Sequence, residues 1–317
     1  RWDVVIEAAE KCKELGCALS ADYEKIFTNK DNPEHIFSVD FLSNKLTHRA
    51  DVFFRPIGDS PYHSNSTIFG AICPTSELVD AYEMADGTEF SWEEHGADPY
   101  TGREPRFYAS ILYNGARWEG RTIETFQGGV DGIGKFQTNG TAGTTTTGYY
   151  FKKYITERDD AWETNGSDHF APFIRYAEVL LNKAEALAEQ NWASNSADAL
   201  AALNEVRARV DLPEKTAGSL EEFRTILRKE RMVELAGEGF RYWDIRRWRI
   251  GEEVINGKQA HGCWITRSGG EEYVDSYKQV DVDAGQTRLF FERYYSFSIP
   301  IVERSNNTAL GPNNPGW

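Results

Sequence analysis

The strongest constraint on this chain is a run of helical text between residues 171 and 250. In RYAEVLLNKAEALAEQ (175–190), Val179, Leu180, Lys183, Ala184 and Leu187 fall along one side at helical spacing. A polar break, NWASNSAD, follows, and ALAALNEVRARV (199–210) resumes the period with Leu200, Leu203, Val206 and Val210. Leu212-Pro213 ends it, because proline cannot continue a helix. Two alanine-rich helices joined by a short turn predict an αα-hairpin whose small residues allow close approach, as in tetratricopeptide-type units. Residues 1–19 carry the same period through Trp2, Ile6, Ala9, Cys12 and Leu15, and predict a helix of another such unit. Ser219 with Glu222 is a capping-box pattern that starts a third helix. Thr75 is expected to cap a short helix over SELVDAYEMAD, with Gly87 ending it.

The remaining text is rich in Gly, Asn, Thr and aromatics. It contains β-like runs, HIFSVDFL and YYSFSIP, and a low-complexity stretch, NGTAGTTTTG (139–148), that reads as an exposed loop. The expected architecture is mainly α within one domain spanning 1–317. Residues 1–27 and 171–250 form a helical scaffold, 28–170 a loop-rich ligand region with a few short strands, and 251–317 a loop-rich C-terminal segment.

Charge removes several functions. The formal net charge is −15, from 50 acids and 35 bases. Such a surface repels phosphate backbones and anionic membranes, so a nucleic-acid partner is not expected. The four cysteines, Cys12, Cys17, Cys73 and Cys263, form no C-x-x-C pair. No G-x-S-x-G elbow, H-E-x-x-H helix or G-x-x-x-x-G-K loop occurs. A glycosidase needs two carboxylates roughly 5 to 10 Å apart, which a chain this acidic neither supports nor excludes. DVDAGQTRLFFE (281–292) sets Asp281, Asp283 and Glu292 at calcium-loop positions, but Gly285 and Gln286 stand where a ligand and the turn glycine belong, so a polar loop is expected. No metal and no cofactor are expected.

GEGFRYWDIRRW (237–248) concentrates Phe240, Tyr242, Trp243 and Trp248 with Arg241, Arg246 and Arg247. It has the look of a ligand platform. Glu230, Glu234, Glu238 and Asp244 lie close in sequence, however, and buried arginine needs carboxylate partners. The stretch reads as scaffold.

That stretch and its approach, EFRTILRKERMVELAGEGFRYWDIRRW, resemble the signature of the SusD/RagB family. Further segments agree in order: PTSELVDAYEMADG, GREPRFYASILYNG (Glu104 in place of the usual Asp), GYYFKKY, APFIRYAEVLLNKAEALAE, ALAALNEVRARVDLP, and the close SFSIPIVERSNNTALGPNNPGW. The resemblance implies a surface-exposed, lipid-anchored outer-membrane protein that binds oligosaccharides or polysaccharides and delivers them to a SusC-like TonB-dependent transporter, with no catalytic residues. A relative that binds peptides is the alternative, and a glycan-degrading enzyme a more distant one. Family members extend further at the N-terminus, with a lipidated cysteine, so part of the ligand surface is expected to lie outside this sequence. The resemblance also places GREPRFYASILYNG on a strand.

Sugars stack C–H faces on aromatic rings and bond their hydroxyls to neighbouring polar groups. Three loop stretches offer both: Tyr62, His63 and Asn65 in PIGDSPYHSNST; Trp92, Tyr100 and Arg103 in FSWEEHGADPYTGR; and Asn114, Arg117 and Trp118 in LYNGARWEGR. Trp92 and Trp118 come first, because charged residues and glycines surround them, and Trp264 is a fourth candidate.

Overall fold

The computed structural model describes residues 1–42, 45–59, 70–132, 144–158, 167–270 and 272–317. Helix Trp2–Glu14 lies against the helical hairpin, with Ile6 and Cys12 packed on the hairpin core and Glu10 paired with Lys183. The hairpin, Tyr176–Ala208, breaks only at Asn191 (φ −167°, ψ 97°), and both limbs share one core through Leu180, Ala184, Leu187, Ala199, Leu203 and Val206. The break is thus one residue, shorter than the eight-residue spacer expected. Asn191 steps out of the helix and its side chain accepts the Ser194 amide at 3.4 Å, which starts the second limb at once. Helix Leu220–Glu234 closes the scaffold. Ser219 Oγ accepts Glu222 N at 3.2 Å, and the Glu222 carboxylate takes the Gly218 amide at 2.7 Å. Among the described residues no helix is long and apolar enough to cross a membrane.

Short strands tie the loop-rich region to this scaffold. His35–Val39 pairs antiparallel with Ala171–Arg175, and Tyr176 N donates to Glu34 O at 2.9 Å. Ile111–Leu112 pairs with Tyr150–Phe151, and Arg117–Trp118 with Arg121–Thr122. The longest sheet element is a hairpin of His261–Gly269 with Tyr273–Asp281. Gly148 (φ +85°) lets the chain pass against it, since a Cβ there would lie 2.4 Å from the Cys263 carbonyl.

Several local expectations are corrected. The segment after Pro74 is helical only over Ser76–Val79, and the Thr75 side chain makes no cap bond. PRFYAS is a helix, Pro105–Ser110, begun by proline at its first turn, with the strand confined to Ile111–Leu112. YYSFSIP forms no strand; Glu292–Tyr295 is a single 3₁₀ turn. In the low-complexity stretch, residues 139–143 lie outside the described residues. Thr144–Gly148 is largely buried, because Thr145 Oγ1 accepts the amides of Thr147, Gly148 and Tyr149.

Between the helical core and the aromatic core of the loop region lies a connected array of buried charges. Glu234 accepts from Arg106 (2.9 Å), Arg175 (2.6 Å) and Arg209 (2.5 Å). Arg175 also holds Glu34 and Glu238, Arg106 holds Glu104 and Glu230, and Arg207 bridges Glu230 to Glu83. Lys153 adds a bond to Glu238 at 2.7 Å. Burial alone would raise the Glu234 pKa, but Arg209, Arg175 and Arg106 together draw it well below the usual carboxylate range. A second array carries the arginine-aromatic stretch: Asp244 is held by Arg231 and Arg247, and Glu185 by Arg247 and the Trp248 indole.

Removing one member leaves the others buried and uncompensated. Glu234→Gln is expected to destabilise the fold by about 3–5 kcal/mol, measured by urea unfolding at pH 7. Because the folded pKa is depressed, the Glu234 contribution is present above the unfolded carboxylate pKa and is lost as pH falls through the folded value. The difference between wild type and variant therefore shrinks below about pH 4.5.

Candidate functional site

The Tyr273–Asp281 strand sets alternate residues on one face: Tyr273, Asp275, Tyr277 and Gln279. That face meets the loop segments carrying several of the candidate residues. Tyr100 is buried, and its ring lies 4.6 Å from Tyr113 and 5.3 Å from Tyr277, both half-buried. Tyr108 packs beside Tyr113 and donates its hydroxyl to Tyr100 O at 2.7 Å. Tyr100 thus packs beneath two partly exposed phenol rings, Tyr113 and Tyr277, and its carbonyl anchors a third, Tyr108. Burial, with Tyr108 and Asp98 adding to it, pushes the Tyr113 pKa up to about 12, so the ring stays neutral.

Trp92 continues this surface. Ser91 caps the turn Trp92–His95, which leaves the indole half-buried against Phe90 at 5.7 Å. Its Nε1 donates to Asp80 Oδ2 at 2.8 Å, and Gln279 Nε2 donates to the same oxygen at 3.1 Å. Asp80 therefore joins the tryptophan to the hairpin strand. Burial raises the Asp80 pKa to about 6, against the opposing pull of the Trp92 bond and Arg103. At the other end of the strand face, Asp275 is gripped by Arg267 at 2.7 and 2.8 Å and receives the Asn114 amide at 2.8 Å. The Arg267 bonds hold the Asp275 pKa below the usual range. The Arg267 guanidinium is sandwiched between Phe126 and Tyr273, 3.8 and 3.6 Å from their ring centres.

The candidate residues divide three ways. Trp92 lies on the surface. Tyr100, Asn114 and Arg103 lie immediately beneath or beside it and are buried. Arg103 clamps the carbonyls of Pro99, Val79 and Tyr82 and covers the Phe90 ring, so its charge is spent inside the fold. Trp118 corrects the expectation most clearly. It is only 2% exposed, bonds Asp59 at 2.9 Å, lies under Arg55 and belongs to another core cluster, so Trp92 and Trp118 form no common flat row. Arg117 is exposed and bonds its own hairpin. Trp264 is half-buried on the opposing strand. Tyr62, His63 and Asn65 lie outside the described residues.

Other expectations are placed as follows. Asp281 accepts the amides of Asp283 and Gly285, and Asp283 takes the Ala260 amide and Arg288, so these carboxylates shape a turn. Among the described residues no group of His, Cys, Asp and Glu could hold a metal ion. In the arginine-aromatic stretch, Arg247 and Trp248 serve as scaffold. Tyr242 and Trp243 instead face outward, 47% and 55% exposed, and do not cover the ion pairs.

The SusD family profile matches residues 33–317. The chain belongs to the SusD family. Among curated SusD relatives, SusD-like protein P2 of Formosa agariphila is 33% identical over 165 residues, 48% of this chain and 27% of that protein. Two solved SusD-like structures from Bacteroides fragilis are each 28% identical. One covers 100% of this chain with a TM-score of 0.76; the other, a SusD-like carbohydrate binding protein, covers 98% with a TM-score of 0.77. The surface glycan-binding protein A of Bacteroides fluxus, 19% identical with a TM-score of 0.62, shares the fold. The chain spans 62% and 61% of the two Bacteroides fragilis chains and 59% of the Bacteroides fluxus chain.

The residues of this surface that the sequence did not single out are Tyr108, Tyr113, Tyr277, Gln279, Asp80, Arg267 and Asp275. YVDSYKQVD shows no strict apolar–polar alternation, its apolar residues being Tyr273, Val274, Tyr277 and Val280, so the sequence offers no clear strand signal there. The Asp80–Trp92 bond gives a direct check. The fluorescence difference between wild type and Trp92→Phe is expected to titrate with a midpoint near 6, as protonation weakens the carboxylate acceptor. Asp80→Asn should abolish that transition; a transition that survives this substitution contradicts the assignment.

Proposed function

We propose that this protein binds a glycan on the strip formed by Trp92, Tyr277, Tyr113 and Tyr108. The observation that carries the reading is a set of partly exposed aromatic faces laid over buried Tyr100, with bonded polar groups at both ends. Half-buried rings present an apolar face to sugar C–H groups while their surroundings fix their orientation, so little side-chain entropy is lost on binding. Gln279 and the Arg267–Asp275 pair supply hydrogen-bonding partners for hydroxyls. Tyr100, Asn114 and Arg103 then act as positioning residues beneath the ligand.

The role is capture without covalent chemistry. Asp80 directs one oxygen to two donors, and its other oxygen is buried, so the carboxyl with the raised pKa is not offered to a ligand. Asp275 is tied to Arg267 and kept ionised. Membership of the SusD family supports the rest of the proposal: a protein lipid-anchored outside the outer membrane that hands its oligosaccharide to a SusC-like TonB-dependent transporter.

Titration calorimetry against plant, host and microbial polysaccharides tests the reading. A bound polysaccharide is expected, with Trp92→Ala and Tyr277→Ala each weakening it by about tenfold or more. Trp118→Phe should leave affinity unchanged, since its ring faces the core. Binding that survives both ring deletions, or no binding to any polysaccharide by the folded protein, overturns the proposal.

A further inference from the structure

A second concavity, which shares no lining residue with the aromatic strip, lies where helix Leu220–Glu234 gives way to helix Phe240–Arg247. It is an open cleft of about 520 Å³, within the range of small-ligand sites. Its floor is aliphatic: Leu78, Met232, Leu235, Ile245, Val254 and Ile255. Tyr242 is the aromatic residue of its lining. Such a floor suits branched aliphatic groups better than sugar rings, which favour aromatic faces.

The charges around the cleft are unbalanced. Its two carboxylates are already engaged: Asp244 by Arg231, and Glu77 by the amide and Nδ1 of His261. Arg288 is paired with Asp283. Arg241 and Lys258 also line the cleft; their side chains make no hydrogen bond or ion pair among the described residues, and the Asp244 carboxylate, already held by Arg231, acts on Arg241 only at longer range. In a chain with 50 acids and 35 bases, two cations with no carboxylate hydrogen-bonded to them over one aliphatic floor favour an anionic occupant. The Gln259 amide lines the same cleft without a side-chain partner among the described residues, and offers both a donor and an acceptor.

We infer that this cleft binds a short acidic peptide segment, with aliphatic side chains on the Leu235–Ile245–Val254 floor and carboxylates against Arg241 and Lys258. Gln259 would bond a peptide group of the same segment. Binding here is independent of the aromatic strip, so the protein would carry two sites of different chemistry.

Fluorescence anisotropy with a labelled Glu-Leu-Ile-Leu-Glu peptide tests this, with Lys-Leu-Ile-Leu-Lys and dodecanoate as comparators. The acidic peptide is expected to bind at one saturable site, about tenfold or more tighter than its basic counterpart, and to weaken by a similar factor in the Arg241→Ala, Lys258→Ala double variant. Both cations are surface residues, so this variant should keep its unfolding midpoint; Val254→Arg, which charges the floor, provides a second test and should abolish binding. Trp92→Ala should have no effect. Equal binding of the two peptides, or acidic-peptide binding indifferent to the double variant, overturns the inference. Saturable binding of dodecanoate without the peptide does so as well, and would assign the cleft to a small amphiphile.

Discussion

Glu234 ties three separate parts of this fold together. A buried carboxylate is tolerated only when its lost hydration is replaced, and here Arg106, Arg175 and Arg209 replace it. Those arginines come from three separate parts of the chain. Arg106 lies in the loop-rich region, Arg175 ends the Ala171–Arg175 strand, and Arg209 follows the helical hairpin. Glu34 and Glu238 extend the same array. Ion pairs of this kind give directionality that apolar packing lacks, because each guanidinium fork donates to carboxylates only along set directions. The loop-rich region, poor in regular structure, is thereby held in register with the helices.

The aromatic strip depends on a smaller version of the same device. Arg103 contributes no surface charge; it draws in the carbonyls of Val79, Tyr82 and Pro99 and so fixes the turn holding Asp80 relative to the segment holding Trp92 and Tyr100. Tyr100 then supports Tyr113 and Tyr277, and Asp80 bonds the indole and the hairpin strand. The surface rings are held in place by contacts with what lies beneath them. Such preorganisation lowers the side-chain entropy lost when an open surface takes a ligand.

Much of this was legible in the sequence. The helical hairpin and the Ser219 cap follow from period and capping chemistry, which act locally. The engagement of Arg247 and Trp248 in scaffold followed from charge balance. What lay hidden was tertiary. Trp92 and Trp118 have similar polar neighbours in sequence, yet a short hairpin turns Trp118 inward onto Asp59 while the Ser91 cap leaves Trp92 at the surface. The strand face with Tyr277 and Gln279 carries no clean alternation of apolar and polar residues, and a two-stranded hairpin alone is a weak local unit. Tyr242 and Trp243 look like core residues by composition, and only the packing of their helix shows them facing outward. Arg103 looks like a surface ligand in sequence, and only the three-dimensional position of backbone carbonyls reveals it as a clamp.

The central claim is that ligand contact falls on the strip beside the Tyr273–Asp281 strand, while the arginine-aromatic stretch holds the frame. Amide hydrogen exchange of the protein with and without a bound polysaccharide tests it most directly. The account predicts slowed exchange in 91–100, 108–114 and 273–279, with 237–248 unchanged. Protection centred on 237–248, with none along the hairpin strand, would contradict it.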